Sequence, residues 1–172
     1  MFNNNRLKEI INPDTEVVIS IPEQSLELRK QGDLLERYSV STARNGPGEE
    51  FGSECTPRGR HIIRAAIGTD CITGSVFVGR RPTGEVWSAE LAQLEPERDW
   101  ILSRILWLSG LEPGVNRLAN VDTMRRHIYI HGTPYEDEIG SPVSRGCIRM
   151  RNADLIDLYE RVNPGAIVII NS

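Results

Sequence analysis

Alternation of apolar and polar residues dominates the first quarter of the chain. The stretches "VVISI", "SLELRK" and "LERYSVSTA" alternate with the period of two that a half-buried strand requires. Residues 22–24, which include a proline, separate the first two stretches, and Gly32–Asp33 separate the second from the third. Proline and glycine favour tight turns at such positions. The pattern therefore predicts a three-stranded meander, preceded by a short helix at residues 6–11 that ends before Pro13.

The middle of the chain continues with strands and loops. Glycine and proline are frequent in residues 45–60, which indicates a long loop, and "PTGE" at residues 82–85 predicts a turn. "SAELAQLEPERD" allows a short helix. "WILSRILWLSG" fits a helix or a buried strand, and we favour the strand. Further strands are predicted at "RHIIRAAIG", "SVFVGR", "RRHIYIHG" and, near the C-terminus, "AIVII".

One helix is predicted near the C-terminus. Asn152 is a suitable N-cap and Asp154 follows in the first turn, where the helix dipole favours an anion. Apolar residues recur at helical spacing, and Pro164 and Gly165 end the helix. These apolar positions are Leu155, Ile156, Tyr159 and Val162. The pattern as a whole predicts a mainly β (α+β) fold, a single-domain β-sandwich with this one helix.

Composition narrows the function classes. A chain of 172 residues is expected to form one domain, and its net charge of −4 gives no electrostatic case for nucleic acid. No run approaches the 18 apolar residues of a membrane span, and the N-terminus shows no secretory signal, so we expect a cytoplasmic protein. A removed signal would instead imply the periplasm or cell wall. Three cysteines are an odd number, which fits a reducing compartment.

A histidine and a cysteine lie at the two ends of a glycine- and proline-rich loop. His131 follows an apolar alternation and precedes Gly132, while Cys147 follows Gly146 and precedes another alternation. A neighbouring imidazole can take the thiol proton and activate the sulfur as a nucleophile. The Gly132 carbonyl could orient the imidazole, and the N–H groups of Gly146 and Cys147 could form an oxyanion hole.

Other interpretations of these residues remain open. A single cysteine or histidine is most often structural, and we interpret Cys55 and Cys71 in that way. His131, Glu136, Asp137 and Cys147 could in principle bind a metal. Their spacing matches no common zinc motif, and the chain has no pair of cysteines two residues apart. We therefore predict neither a metal nor a cofactor.

The segment "HGT…IGSPVSRGCIRMRN" resembles the catalytic motif of the YkuD-type L,D-transpeptidases, also called the ErfK/YbiS/YcfS/YnhG family. The resemblance extends to "EVVISIPEQSLELRK", which is similar to the family's opening strands, and to "TPRGRHII". It covers about residues 15–170. It implies a YkuD-like sandwich, with residues 1–14 as a lead-in and residues 15–172 as the catalytic domain.

The resemblance also implies an activity and roles for individual residues. Members of this family cleave the bond after the L-centre of meso-diaminopimelate in peptidoglycan stem peptides, through a thioester on the cysteine that matches Cys147. His131 matches the general base, oriented by Gly132. The family's Ser-x-Gly-Cys turn, which supplies the oxyanion hole, matches Ser144, Gly146 and Cys147. The residues implied to contact substrate are Ser144, Arg145, Arg149 and Asn152. Many members have histidine where this chain has Arg145.

Two outcomes share this chemistry. Attack of water on the thioester gives an L,D-carboxypeptidase of cell-wall recycling, and attack of an amine gives a cross-linking L,D-transpeptidase. Because no export signal is visible, we favour hydrolysis of a free muropeptide, whose carboxylates Arg145, Arg149 and Arg151 could bind. A papain-like enzyme would need a histidine after the cysteine, and no histidine follows Cys147. A non-catalytic binding module would not need both His131 and Cys147.

Overall fold

The computed structural model describes residues 12–172 as ten strands and two α-helices. The predicted helix at residues 6–11 lies outside the described residues. The strands are β1 Asn12–Ser20, β2 Ser25–Lys30, β3 Asp33–Ser39, β4 Gly59–Ile67, β5 Ser75–Val78, β6 Arg81–Val86, β7 Ile101–Gly110, β8 Tyr129–Gly132, β9 Ile148–Met150 and β10 Ala166–Asn171. The helices are α1 Ala89–Leu94 and α2 Asn152–Arg161. The prediction of a mainly β fold with one main helix is confirmed.

The predicted meander is present as β1, β2 and β3, which pair antiparallel in chain order. Alternate side chains of β1 and β2 are fully buried, and their neighbours along each strand keep more exposure. Gly32, with φ of +90°, makes the turn between β2 and β3. A left-handed residue at this point suits glycine, which has no Cβ. The other edge of β1 pairs in parallel with β10, a long-range contact that joins the two ends of the chain.

Strand β7 pairs with three other strands of the sheet. It pairs antiparallel with β4, β5 and β8, and its ten residues alternate little in exposure because most of them are buried. Burial on both faces explains why its apolar pattern has no period of two. The sheet order is β3-β2-β1-β10-β4-β7-β5-β6, with β8 joining β7 to β9. The strand interpretation of "WILSRILWLSG" is therefore right.

Two sequence predictions were wrong in detail. Residues 82–85 belong to β6, and the turn lies at Gly79 and Arg80, which have φ of 55° and 65°. These successive positive φ values suit the right-handed twist of a β-hairpin. The strand predicted from "RRHIYIHG" begins only at Tyr129. Residues before it form a turn held by Asp122, whose carboxylate and carbonyl accept from the N–H groups of Arg125 and Arg126.

Helix α2 covers the sheet near β7 and β8. Its inner side chains Leu155, Leu158 and Tyr159 are buried, whereas Ile156 keeps partial exposure. The predicted cap was wrong, since Asn152 is the first helical residue and its side chain points elsewhere. Instead the carboxylate of Glu136, on a distant loop, accepts from the N–H of Asn152 at 2.8 Å. An anion at this position also complements the helix dipole.

The main core lies between the meander side of the sheet and the β7–β9 side. Side chains of β1, β2, β4 and β10 pack in one cluster with those of β7, β8, β9 and α2. This packing gives the predicted sandwich its two apolar layers. Among residues 12–172, no helix has the length and apolar content to cross a membrane.

Candidate active site

Strands β8 and β9 position the histidine and the cysteine. They pair in parallel, with Ile130 opposite Ile148 and His131 opposite Arg149. Ile130 and Ile148 are fully buried in the main core. Successive side chains of a strand point to opposite faces, so His131 and Arg149 lie on the other face. Cys147 directly precedes β9, and its side chain packs against the apolar cluster that includes Tyr129 of β8.

The imidazole of His131 is held by a main-chain contact. Its Nδ1 lies 2.8 Å from the carbonyl oxygen of Gly132, and only 1% of the residue is exposed. Donation from Nδ1–H leaves Nε2 as the unprotonated nitrogen in the neutral ring. Burial lowers the pKa of His131, although the Gly132 carbonyl and the charge of Asp99 act in the opposite direction. The ring is thus neutral at rest, with Nε2 able to accept a proton.

Cys147 is a thiol at rest. Burial raises its pKa to about 12, and Asp99 adds to this effect. The N–H of Tyr129, 3.4 Å from Sγ, and the charges of Arg149 and Arg126 oppose it. The sulfur also lies 3.5 Å from the carbonyl oxygen of His127. The surroundings of Cys147 and of His131 thus both favour the uncharged side chain.

The turn before Cys147 is fixed by internal hydrogen bonds. Ser144 is 1% exposed, and its hydroxyl donates to the Cys147 carbonyl oxygen at 2.5 Å. The Ser144 hydroxyl oxygen also accepts from the Gly146 N–H at 3.3 Å. Gly146 has φ of +121°, and its own carbonyl accepts from the Thr56 hydroxyl at 2.9 Å. Ser144 therefore holds the turn, whereas the sequence assigned it to substrate binding. The Gly146 N–H must leave Ser144 to stabilise an oxyanion.

Gly132 and Asn152 fit against each other. A Cβ on Gly132 would lie 2.3 Å from the Asn152 Oδ1 and 2.7 Å from the Leu102 carbonyl oxygen, so only glycine fits. The Asn152 amide donates to the Thr133 carbonyl at 2.9 Å and to Glu136 at 2.8 Å, and it accepts from Ser103 at 2.6 Å. Asn152 is therefore a positioning residue for the His131–Gly132 segment, whereas the sequence assigned it to substrate contact.

Arg149 is paired with acids that the sequence analysis missed. Its guanidinium lies 3.2 Å from Asp99 and 3.9 Å from Glu138, and 9% of the residue is exposed. Asp99 lies 50 positions before Arg149, on the loop that leads into β7, so no local motif marks it. The charge of Arg149 is thus largely balanced within the protein, and Asp99 contributes to the electrostatics of both His131 and Cys147.

Arg145 is exposed and lines neighbouring clefts, of which two differ clearly in character. One cleft, of about 320 Å³, combines four arginines with three acids. Its lining residues are Arg44, Pro96, Glu97, Arg98, Asp99, Tyr135, Glu138, Val143, Arg145 and Arg149. The other, of about 220 Å³, lies beside the 45–60 loop and includes Phe51, Glu54, Arg126 and Ile128. Arg151 lies outside both clefts and faces Asp154 at 3.8 Å.

The remaining cysteines have structural surroundings. Cys71 packs against the apolar cluster of Phe77, Ile105 and Tyr129 that Cys147 also contacts. The carbonyl of Cys55 accepts from Arg126 at 2.6 Å, which ties the 45–60 loop to the turn preceding β8. All three cysteines are free thiols. Within residues 14–172, no group of three or more histidine, cysteine or acidic side chains is arranged to hold a metal ion.

Comparison with known proteins places this geometry in a family. The model of the YkuD family, the L,D-transpeptidase catalytic domain, matches residues 14–170. The curated Bacillus subtilis protein named L,D-transpeptidase YkuD is 49% identical over 47 residues, which are 27% of this chain and 29% of that protein. The aligned stretch thus spans less than a third of that relative.

Solved structures share the fold. L,D-transpeptidase 3 of Mycobacterium tuberculosis, in complex with a faropenem-derived adduct, has a TM-score of 0.58 at 16% identity, over 94% of this chain and 61% of that one. An L,D-transpeptidase from Mycobacterium smegmatis has a TM-score of 0.56 at 14% identity, over 92% of this chain and 59% of that one. A structure of an L,D-transpeptidase in complex with imipenem has a TM-score of 0.55 at 14% identity, with the same coverage of 92% of this chain and 59% of that one. By its match over nearly the whole length, this chain belongs to the YkuD family of L,D-transpeptidase catalytic domains.

Proposed function

We propose that this chain is a cysteine acyltransferase that cleaves the bond between meso-diaminopimelate and D-alanine in peptidoglycan tetrapeptides. The observation that carries the proposal is the parallel pairing of β8, which carries His131, with β9, which Cys147 directly precedes. The tether from Nδ1 of His131 to the Gly132 carbonyl leaves Nε2 as the nitrogen that can accept the thiol proton.

The pKa values define how the first step proceeds. Because Cys147 rests as a thiol, Sγ attacks the scissile carbonyl as its proton passes to Nε2 of His131. The resulting oxyanion takes hydrogen bonds from the main chain of the turn, as the Gly146 N–H is released from Ser144. When the C–N bond breaks, the imidazolium returns its proton to the departing amine, and D-alanine leaves a thioester on Cys147.

The larger cleft suits a substrate that carries both signs of charge. Its guanidinium groups can bind the carboxylates of a stem peptide, and the acids can bind the ammonium group of diaminopimelate. Arg149 is already paired with Asp99 and Glu138, so the exposed Arg145 is the better candidate to meet a substrate carboxylate. This mixed charge supports a muropeptide as the partner.

We favour hydrolysis in the second half of the reaction. Water, activated by His131, attacks the thioester, and the tripeptide and the Cys147 thiol are released. A competing amine must be held in place to outrun water at about 55 M. The bulky Arg145 lines both clefts and carries a positive charge that repels a protonated amine. Cytoplasmic recycling of muropeptides is part of this proposal, and fractionation of producing cells tests the location.

Cross-linking is the second candidate. Arg145 lines more than one cleft, and a transpeptidase needs separate sites for the donor and the acceptor. In this case the acceptor amine would enter from the 45–60 loop side, and the product would be a peptide dimer.

A competition assay separates the two candidates. The purified protein is incubated with a diaminopimelate-containing tetrapeptide and an excess of a diaminopimelate-containing acceptor peptide. The products are identified by mass spectrometry. Hydrolysis gives tripeptide and free D-alanine as the main species. A dimer as the main species would replace the hydrolase with the transpeptidase, and the absence of both products would remove the proposed activity.

A further inference from the structure

A buried arginine away from the cysteine has no acidic partner. Arg104, on β7, is 8% exposed, and within residues 14–172 no carboxylate lies at ion-pair distance from it. Burial of an unbalanced guanidinium is costly, and buried charges in proteins are normally paired. Arg104 is therefore a buried cation whose printed polar partners are main-chain carbonyls.

The hydrogen bonds of Arg104 use only one end of the guanidinium. Nη1 donates to the carbonyl oxygens of Cys71 and Ser103, both at 2.7 Å. Nε is buried without an acceptor in the described part of the chain, and Nη2 makes no hydrogen bond to those residues either. Nε and Nη2 form the side edge of the guanidinium, whose two parallel N–H groups match the two oxygens of a carboxylate or phosphate.

A cleft of about 480 Å³ adjoins this arginine, between the end of α2 and the sheet. The Tyr159 ring covers one side, with its centroid 5.5 Å from the Arg104 Cζ. The hydroxyls of Tyr159 and Thr69 lie 3.0 Å apart at the cleft wall, where they add hydrogen-bonding groups. Glu160 also lines the cleft and is exposed. The cleft has room for a small organic anion beside the guanidinium.

We propose that this cleft binds a small oxyanion, a carboxylate or a phosphate, through the side edge of Arg104. The ligand supplies the negative charge that the protein does not. Glu160 opposes an anion by like-charge repulsion and limits the affinity. The cleft shares no lining residue with the clefts at Arg145, so it is a second site.

The location connects the site to the catalytic strand. The pairing of β7 with β8 shifts register between Leu102 and Ile105, opposite Gly132 and His131. Arg104 lies in this irregular segment next to Ser103, whose hydroxyl contacts both Asn152 and the N–H of Gly74. A ligand on Arg104 would therefore contact β7 one residue away from Ser103, the hydrogen-bonding partner of Asn152.

The test is titration of the whole chain with sodium succinate and, separately, inorganic phosphate at fixed ionic strength, followed by amide NMR. Saturable shifts at Thr69, Arg104 and Tyr159 are the expected result, and the stronger of the two titrations identifies the anion class. Arg104→Gln should weaken binding by at least about tenfold, since a charge-assisted bidentate contact is lost. Arg64→Gln removes one exposed positive charge from β4 and serves as the matched control with unchanged binding.

Surface variants keep the test decisive if Arg104→Gln does not fold. Glu160→Gln should tighten binding severalfold because repulsion is removed, and Arg145→Gln should leave the shifts in this cleft unchanged. The proposal is overturned if neither anion produces saturable shifts at these residues. It is equally overturned if a folded Arg104→Gln binds as tightly as the parent protein, or if Glu160→Gln has no effect.

Discussion

At the scale of single residues, the candidate site depends on the resting protonation of two side chains. The sequence placed a histidine and a cysteine at the ends of one loop, and the structure shows both in surroundings that favour their neutral forms. A preformed thiolate–imidazolium pair would need a lowered cysteine pKa, and here burial acts in the other direction. Under the proposed function, Cys147 is therefore activated by proton transfer during the reaction.

The first prediction concerns Cys147 itself. Cys147→Ala should abolish D-alanine release from the tetrapeptide by several orders of magnitude, because the thioester cannot form. The same variant should lose the covalent mass increase that we expect when the protein is incubated with imipenem. Cys55→Ala and Cys71→Ala are the matched controls and should keep both signals. An imipenem adduct that survives in Cys147→Ala would place the nucleophile elsewhere.

The second prediction follows from the raised pKa of the thiol. In a Cys55→Ala/Cys71→Ala background, alkylation of Cys147 by iodoacetamide should be slow at neutral pH and still rise above pH 10, because the pKa lies at about 12. Rates are measured by mass spectrometry across the pH range, with N-acetylcysteine as the reference thiol. A rate plateau below pH 8 would instead indicate a thiolate stabilised at rest, contrary to the burial argument.

At the scale of elements, loops and strand ends are fastened by side chains that are distant in sequence. Asn152 at the start of α2 connects Thr133, Glu136 and Ser103, and it lies against Gly132. The segment that contains His131 and Gly132 is therefore positioned by α2, through Asn152, and by β7, through Ser103. Such contacts determine the ring orientation that a general base requires.

The third prediction tests this support. Asn152→Ala should lower the free energy of unfolding by about 1–3 kcal/mol, because three buried polar groups lose their partner. It should also reduce kcat more than KM, since the Asn152 side chain is engaged by Ser103, Thr133 and Glu136 and orients the segment of His131. Chemical denaturation and steady-state kinetics measure the two effects. Asn163→Ala, at an exposed position after α2, is the control and should change stability by less than about 0.5 kcal/mol.

The fourth prediction concerns the ion pair that joins the loop before β7 to β9. Asp99→Asn leaves Arg149 with only the longer contact to Glu138 and removes a negative charge near the site. Since Asp99 raises the pKa of both His131 and Cys147, its loss should lower the pH at which Cys147 alkylation rises. Glu97→Gln, in the same cleft but without an ion pair in the described residues, is the control. An unchanged alkylation profile in Asp99→Asn would contradict the electrostatic link.

At the scale of the whole molecule, a second histidine makes the fold sensitive to acid. His61, on β4, is fully buried, with Nδ1 3.1 Å from the Gly59 carbonyl oxygen and Nε2 3.0 Å from the Thr123 hydroxyl. Burial lowers its pKa to about 4. The unfolded chain binds this proton near pH 6.5 and the folded chain does not. The stabilisation is therefore complete above pH 6.5 and is lost as the pH falls towards 4.

The fifth prediction is a measurable pH dependence of stability. The free energy of unfolding should fall by up to about 3 kcal/mol between pH 7 and pH 4 through His61 alone. Urea denaturation at several pH values measures the slope. His61→Gln should be less stable at pH 7 and show a shallower slope, whereas His127→Asn, at an exposed position, should keep the parent slope. Equal slopes in His61→Gln and the parent would exclude His61 as the source.

The sequence by itself determined the features that depend on local pattern and on short-range chemistry. Period-two alternation specified the meander, helical spacing specified α2, and the segment around His131 and Cys147 specified the family and, as a prediction, the catalytic pair. The contact from His131 to Gly132 was also predictable, because the two residues are adjacent and a carbonyl lies within reach of the ring.

Tertiary structure alone decided the features that bring distant positions together. Asp99 meets Arg149 across 50 residues, and Glu136 rather than Asn152 caps α2. Buried Arg104 lies against a cleft formed with α2, and the pKa values of Cys147 and His131 are set by the burial that the whole fold imposes. Local pattern records which residues can be buried. Which charges and hydrogen-bonding groups become neighbours depends on the pairing of strands far apart in the chain.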